Sequence, residues 1–255
     1  FRFHQGMSEA DALAAAVREA RTVLSTHCQD IAALIIEPLM QVAAGMWAHP
    51  VAYVQALREI TTECNILLIC DEVATGFGRT GRMFACEHAD IRPDLFCVAK
   101  GITGGYLPLA ATLTSEEIFS TFLAPYEEFK TFFHGHTYTG NPLACAAALA
   151  SLAVFEQEQV LDTLTEKIAL LTERLHSEFV PLAHVADIRQ WGMMVGIELM
   201  RDPVRKVPCA AAGKIGVRVI REARQQGISL VELTRLLDVV GAAILAVTED
   251  VCTAS

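Results

Sequence analysis

NILLICDEVATGFGRTG, residues 65–81, decides how the rest of the chain is read. The apolar run Ile66–Cys70 has no polar alternation and closes on two acids, Asp71 and Glu72, before a glycine-rich stretch. A short continuous run of that kind reads as a buried strand. Moving outward, DLFCVAKG at 94–101 repeats the pattern and ends on Lys100, while IAALIIEP at 31–38 ends on Glu37 and Pro38. Helical spacing fills the intervals. Residues 8–26 carry apolar positions at helical periodicity behind Ser8, and residues 50–64 form a second such stretch. Strands alternating with helices predict an α/β fold, with a mainly parallel sheet covered on both faces. Ligands in such sheets gather at the carboxyl ends of the strands. Glu37, Asp71 and Lys100 each stand at such an end.

Further along, LPLAATLTS at 107–115 reads as another strand and SEEIFSTFL at 115–123 as a helix. The aromatic loop TFFHGHTYTGNP at 131–142 leads into one long helix over about 142–178. Beyond it come a strand-like MMVGIELM at 193–200, a mildly basic helix at 211–226, a GISLV strand at 227–231 and a helix at 232–248. The boundary falls within the long helix, giving a domain over 1–157 and a smaller one over 158–255.

Composition narrows the function classes. The chain has 255 residues, 53% of them hydrophobic and 20% charged, which excludes a disordered or low-complexity protein. A net charge of −10 argues against a nucleic-acid partner, which a basic face would recruit. The longest apolar runs, near 144–155 and 236–247, are too short to span a bilayer. The eight cysteines stand singly with no CxxC spacing, and the eight histidines form no HxxxH or HExxH pair. Buried thiols in a reducing, cytoplasmic setting and no metal are the expectation. The opening FRFHQG reads as the interior of a longer sequence, with neither an initiator Met nor a signal region.

Two residues invite chemistry. An apolar approach to Lys100 would disfavour its ammonium and ready the amine for attack on a carbonyl; the alternative is a strand-end lysine reaching solvent over a packed stem. Asp71 could pair with a pyridinium nitrogen, or serve as a helix cap or salt-bridge partner. TGFGRTG and GITGG match neither phosphate-loop pattern and read as tight turns with close backbone approach. Trp47 and Trp191 read as packing, and the basic helix as a solvated face.

Four motifs occur in one order: IIEPLMQ (35–41), DEVATGFGRTG (71–81), AKGITGGYLPLAA (99–111), whose lysine lies 29 positions after Asp71, and HGHTYTGNPLACAAALASL (134–152). From about Asp30 to Met200, and more loosely to the end, the chain resembles the class III (fold type I) aminotransferases that depend on pyridoxal 5'-phosphate (PLP). FACEHADIRPDLFCVAKGITGG (84–105) and FFHGHTYTGNPLACAAALASL (132–152) resemble the members that act in biotin synthesis. The resemblance implies a three-layer PLP-binding large domain, here partial, and a small C-terminal α/β domain. It implies that Lys100 bonds the cofactor and shuttles the proton, that Asp71 pairs with the ring nitrogen, and that Val73 packs on the ring. Thr137 and the His136 backbone would hold the phosphate of the neighbouring subunit in a homodimer with shared active sites. Gly135 and Arg79 would contact substrate, and Glu37 would lie near ring and substrate. The implied donor is S-adenosylmethionine and the implied acceptor 8-amino-7-oxononanoate, giving 7,8-diaminononanoate.

The chain departs from that family pattern in three places. The long N-terminal portion that supplies other cofactor contacts is absent, and so is an LRPLGNVVYLMPP-like segment after GISL that carries a carboxylate-binding arginine; Arg235 does not replace it. Val42 stands where the family places glycine, which predicts an altered loop after Gln41. A chain of this kind is expected to be inactive or poorly stable by itself, through exposed edges and apolar faces. The rival readings are another class III aminotransferase acting on an ω-amino acid or diamine, and a non-catalytic remnant that keeps the fold.

Overall fold

The computed structural model describes residues 7–226 and 233–253. The chain divides into two compact units, Phe1–Leu164 and Thr165–Ser255.

In the first unit, helix α1 (Glu9–Thr26) starts where Ser8 Oγ accepts the Asp11 amide at 3.2 Å, satisfying one of the donors a helix start leaves free. Strand β1 (Ala33–Ile36) follows, then a small antiparallel hairpin of β2 (Met40–Gln41) and β3 (Trp47–Ala48) that the sequence did not announce. The left-handed positions of its turn fall on Gly45 (φ 114°) and Met46 (φ 57°). Left-handed backbone in this hairpin therefore falls on Gly45 and on the non-glycine Met46, not on Val42. Helix α2 (Val51–Glu63) leads into β4 (Leu67–Asp71), then β5 (Leu95–Val98) and β6 (Ala111–Thr114).

These strands form one sheet in the order β1-β4-β5-β6. The first three are parallel, and β6 runs antiparallel to β5, with Val98 opposite Ala111. Alternation along β4 sends Leu68 and Cys70 to one face, where they pack with Leu34, Ile36, Phe84 and Phe96. Leu24 of α1 and Ile60 of α2 close on the same side, over Leu34. The opposite face carries Leu67, Ile69 and Asp71, and Ile35 there is 63% exposed. The expectation of cover on both faces is thus met on one face only among the described residues.

Short helix α3 (Glu116–Ser120) precedes an extended, exposed segment to Gly140. Asn141 then caps α4 (Pro142–Gln157), accepting the Leu143 and Ala144 amides, with Pro142 at the first turn. The single helix expected over 142–178 is in fact broken. Helix α5 (Val160–Arg174) starts afresh after Gln159 takes φ 47°, and a π-helical turn Leu175–Phe179 ends the run. The division between the two units falls inside α5, at Leu164/Thr165.

The second unit is built on a hairpin of β7 (Val185–Trp191) and β8 (Met194–Asp202), with β9 (Val207–Pro208) added to β8. Its apolar centre joins Leu171, Leu175 and Phe179 to Leu237 and Ile244 of α7 (Leu233–Thr253). Helix α6 (Ile215–Gln225) occupies the C-terminal part of the expected basic helix, after a short 3-10 turn at Ala211–Gly213. The GISLV strand lies outside the described residues. Among the described residues, no helix is long and apolar enough to cross a membrane.

Candidate active site

Asp71 ends β4 and pairs in register with Cys97 of β5, so Lys100 leaves the neighbouring parallel strand at the same end of the sheet. Lys100 takes φ 46° and opens a 3-10 turn, Lys100–Thr103. A side chain on the next residue would be impossible as the loop stands: a Cβ on Gly101 would lie 2.8 Å from Phe77 Cβ. The glycine-rich loop after Asp71 thus backs directly onto the turn that presents Lys100. Gly78 (φ 83°) allows the same loop to bend against Leu161 and Leu164. These positions act as the tight turns and close approaches the sequence indicated.

The structure sorts the sequence-predicted residues into two concavities of the first unit. A groove of about 1270 Å³ brings together Lys100, Arg79, Gly135 and His136, with Tyr138 and Phe77 in its wall. A smaller cleft of about 360 Å³ at the ends of β1 and β4 holds Glu37 and Asp71 beside Gln41, His49 and Tyr53. Val73 and Thr137 line neither. The Val73 amide donates to Asp71 Oδ1 at 3.0 Å, and Thr137 lies in the exposed aromatic loop. In that loop the His136 amide donates to Thr139 Oγ1 at 3.0 Å, and the Tyr138 amide to His136 Nδ1 at 3.1 Å.

The ionic groups are held unevenly. Glu37 Oε2 accepts the Val42 amide at 3.0 Å, which fixes the carboxylate at the lip of the hairpin. Asp71 Oδ2 has no hydrogen bond among the described residues, and Lys100 makes none and no ion pair. Lys100 is exposed, so the apolar enclosure expected around its amine is not formed by these residues.

Two buried groups escaped the sequence reading. Glu72, fully buried, accepts hydrogen bonds from Thr75 Oγ1 (2.6 Å), Ala85 N (2.9 Å) and Cys86 N (2.7 Å). Burial pushes its carboxyl above the ordinary range, against the opposing pull of those bonds. His49, 4% exposed, leaves Nδ1 without a partner among the described residues, and burial pushes its imidazole down to about 4. A period-2 reading of NILLICDE separates Asp71 from Glu72 by face, but nothing in HPVAY marks His49 as buried.

A free amine and a free carboxylate oxygen at one sheet end match the two groups that PLP requires, a lysine for its carbonyl and an acid for its ring nitrogen. The family model for class III aminotransferases matches residues 3–250. The chain belongs to the class III aminotransferases. It is 49% identical, over 83% of its length, to the adenosylmethionine-8-amino-7-oxononanoate aminotransferase of Geobacter sulfurreducens, of which it covers 47%. The crystal structure of the enzyme of that name from Methanocaldococcus jannaschii matches 90% of the chain at a TM-score of 0.85 and 38% identity, and 57% of that chain is covered. An (S)-enantioselective omega-transaminase from Thermomicrobium roseum matches at a TM-score of 0.86 and 31% identity, over 98% of this chain and 58% of its own. These likenesses establish the fold type I aminotransferase fold, in partial form. This class III chain spans about half the length of the curated relatives it matches.

Proposed function

We propose that this chain carries the lysine-bearing part of a PLP-dependent transaminase that transfers the amino group of S-adenosylmethionine to 8-amino-7-oxononanoate in biotin synthesis. The observation that carries the chemistry is the emergence of Asp71 and Lys100 from adjacent parallel strands at one end of the sheet. The substrates rest on likeness to the biotin-synthesis relatives; among solved structures it is 38% identity for the Methanocaldococcus enzyme against 31% for the omega-transaminase.

Bound PLP supplies an electron sink for the substrate carbon. Asp71 Oδ2 would accept the ring N–H, while the Val73 amide keeps Oδ1 fixed. Val73 would pack on the ring. Lys100 Nζ would hold the cofactor between turnovers and take and return the proton at the substrate carbon. Arg79 and Gly135, which share the Lys100 groove, would contact substrate, and Glu37 would face ring and substrate with the oxygen that Val42 leaves free.

The protein would work as a homodimer with shared active sites. Thr137 Oγ1, and the His136 amide released from Thr139, would hold the phosphate bound by the neighbouring subunit. The exposure of Tyr106, Phe129, Phe132, Phe133 and Tyr138 supports a partner over this stretch, since contiguous apolar surface of that kind marks an interface. The seven cysteines from Cys28 to Cys209 are free, in keeping with a reducing cytoplasm.

The test adds PLP to the purified chain, follows the visible absorbance, reduces with borohydride and locates the pyridoxyl-modified residue by peptide mass. Modification at Lys100, abolished in Lys100→Ala, is expected. Donor assays with S-adenosylmethionine against alanine or a diamine then separate the biotin reaction from an ω-amino acid or diamine reaction. Absence of any modified lysine would refute cofactor binding by this chain.

A further inference from the structure

We propose that Glu72 is a positioning residue: its buried carboxylate latches residues 73–84, the loop that bears Val73 and Arg79, and so holds Arg79 at the groove that Lys100 enters. This rests on the functional reading above only for what Arg79 contacts; the latch itself stands on geometry.

Glu72 directly follows Asp71, and strand alternation sends the two acids to opposite faces. Asp71 stays at the open end, whereas Glu72 turns into the packed side beside Cys70 and Cys86. A carboxylate there is costly unless each oxygen is satisfied. Oε2 takes the Thr75 hydroxyl and the Ala85 amide, and Oε1 takes the Cys86 amide. Thr75 sits at the start of the loop; Ala85 and Cys86 open the 3-10 turn that ends it. One side chain therefore ties both ends of the loop to the last residue of the sheet motif. The main chain of Glu72 adds to this, its N–H donating to Cys97 O and its carbonyl accepting the Gly76 amide.

Other hydrogen bonds brace single points of the loop rather than joining its two ends: the Arg82 guanidinium donates to Glu87 O at 2.8 Å, and the Gly81 amide to Gly78 O at 2.9 Å. The Gly78 amide reaches Met83 O at 3.3 Å, and Thr80 Oγ1 lies 3.2 Å from His88 Nε2. Phe77, in the middle of the loop, packs on Gly101 and meets Phe84 edge-on at a centroid distance of 5.5 Å. Displacing the loop would therefore move both Arg79 and the wall behind Lys100.

Only an ionised carboxylate offers acceptors alone. In Glu72→Gln, an amide oxygen retained for Thr75 and Ala85 puts an NH2 against the Cys86 N–H, and the reverse orientation puts it against the Ala85 N–H while the Thr75 hydroxyl turns to accept. Thr75→Ala removes one donor, and Thr75→Ser restores it.

Trypsin reads the loop directly, because Arg79 and Arg82 lie within it while Arg21, in α1 of the same unit, lies outside. Cleavage after Arg79 and Arg82 should quicken about tenfold in Glu72→Gln and about threefold in Thr75→Ala, with Thr75→Ser at the wild-type rate. Cleavage after Arg21 should not change. A second arm measures PLP affinity from visible absorbance, which should weaken in Glu72→Gln and Thr75→Ala and recover in Thr75→Ser. Wild-type loop cleavage in Glu72→Gln or Thr75→Ala overturns the latch. So does acceleration shared equally by the Arg21 site, which would mean general loss of stability. If Glu72→Gln does not fold, the Thr75→Ala and Thr75→Ser pair decides alone. If the wild-type chain takes up no PLP, the cofactor reading fails while the cleavage arm still judges the latch.

Discussion

Arg58 Nη1 meets Asp94 Oδ2 at 2.8 Å, and that same oxygen accepts the Leu68 amide at 2.7 Å. One carboxylate thus joins α2, the start of β4 and the entry to β5. The pair is largely shielded, so removing the acceptor leaves a guanidinium and a strand amide short of a partner. Asp94→Ala should lower unfolding stability by about 2 kcal/mol, and Asp94→Asn by about half as much. Urea titration checks this, and equal stability of Asp94→Ala and wild type would contradict it.

Gly101→Ala tests the contact between the Phe77 loop and the Lys100 turn. With a Cβ at 2.8 Å from Phe77 Cβ and 2.9 Å from its Cδ2, the two segments must part. Overpacking of this kind costs about 1–3 kcal/mol. The yield of pyridoxyl-modified Lys100 should fall with it, measured by peptide mass, whereas Gly216→Ala in α6, whose added Cβ meets nothing within 4 Å, should leave that yield at wild type.

His49 sets an acid limit on stability. Its imidazole titrates near 4 when folded and near 6.5 when free, so between those values the unfolded chain binds more protons. The contribution is whole above pH 6.5 and disappears as pH falls to about 4, a loss on the order of 3 kcal/mol. His49→Leu should flatten this part of the stability–pH curve in urea titrations at pH 7, 5.5 and 4. A mutant curve parallel to wild type would refute the assignment.

Phe179 is the centre of the second unit, fully buried among Leu171, Leu175, Leu237 and Ile244. Phe179→Ala should cost about 3–5 kcal/mol. The two tryptophans fall one in each unit, so fluorescence of Trp191 in a Trp47→Phe background isolates the transition that should move. A shift below about 1 kcal/mol would show that the site collapses around the lost ring.

The α/β class, the three parallel strands and the strand-end placement of Glu37, Asp71 and Lys100 were legible because buried strands, helix caps and sheet ends leave local marks. Ser8 and Asn141 cap the helices that follow them. Strand polarity left no such mark: LPLAATLTS reads alike in either direction, and only pairing with Leu95–Val98 makes β6 antiparallel. The break between α4 and α5 was hidden because FEQEQVL contains neither glycine nor proline, and the left-handed turn falls on Gln159. Val185–Trp191 mixes polar with apolar residues, so its strand character comes from the partner β8. At the site, the separation of Asp71 from Arg79 and Lys100 into two concavities, the latch at Glu72 and the burial of His49 are tertiary facts. They depend on which segments close over a residue, which local spacing does not encode.

The pairing of Val98 with Ala111 brings the chain back to the point from which it left, so residues 99–110 begin and end on one rung of the sheet. Their number is then not fixed by the ladder, and loop length changes closure entropy only slowly. Insertions or deletions near Tyr106 can reshape the groove wall while β5, which leads into Lys100, keeps its register. Mutation can thus vary the far part of this arc without disturbing the strand that leads to the amine, so that over evolutionary time the shape of the groove and the placement of Lys100 are inherited separately.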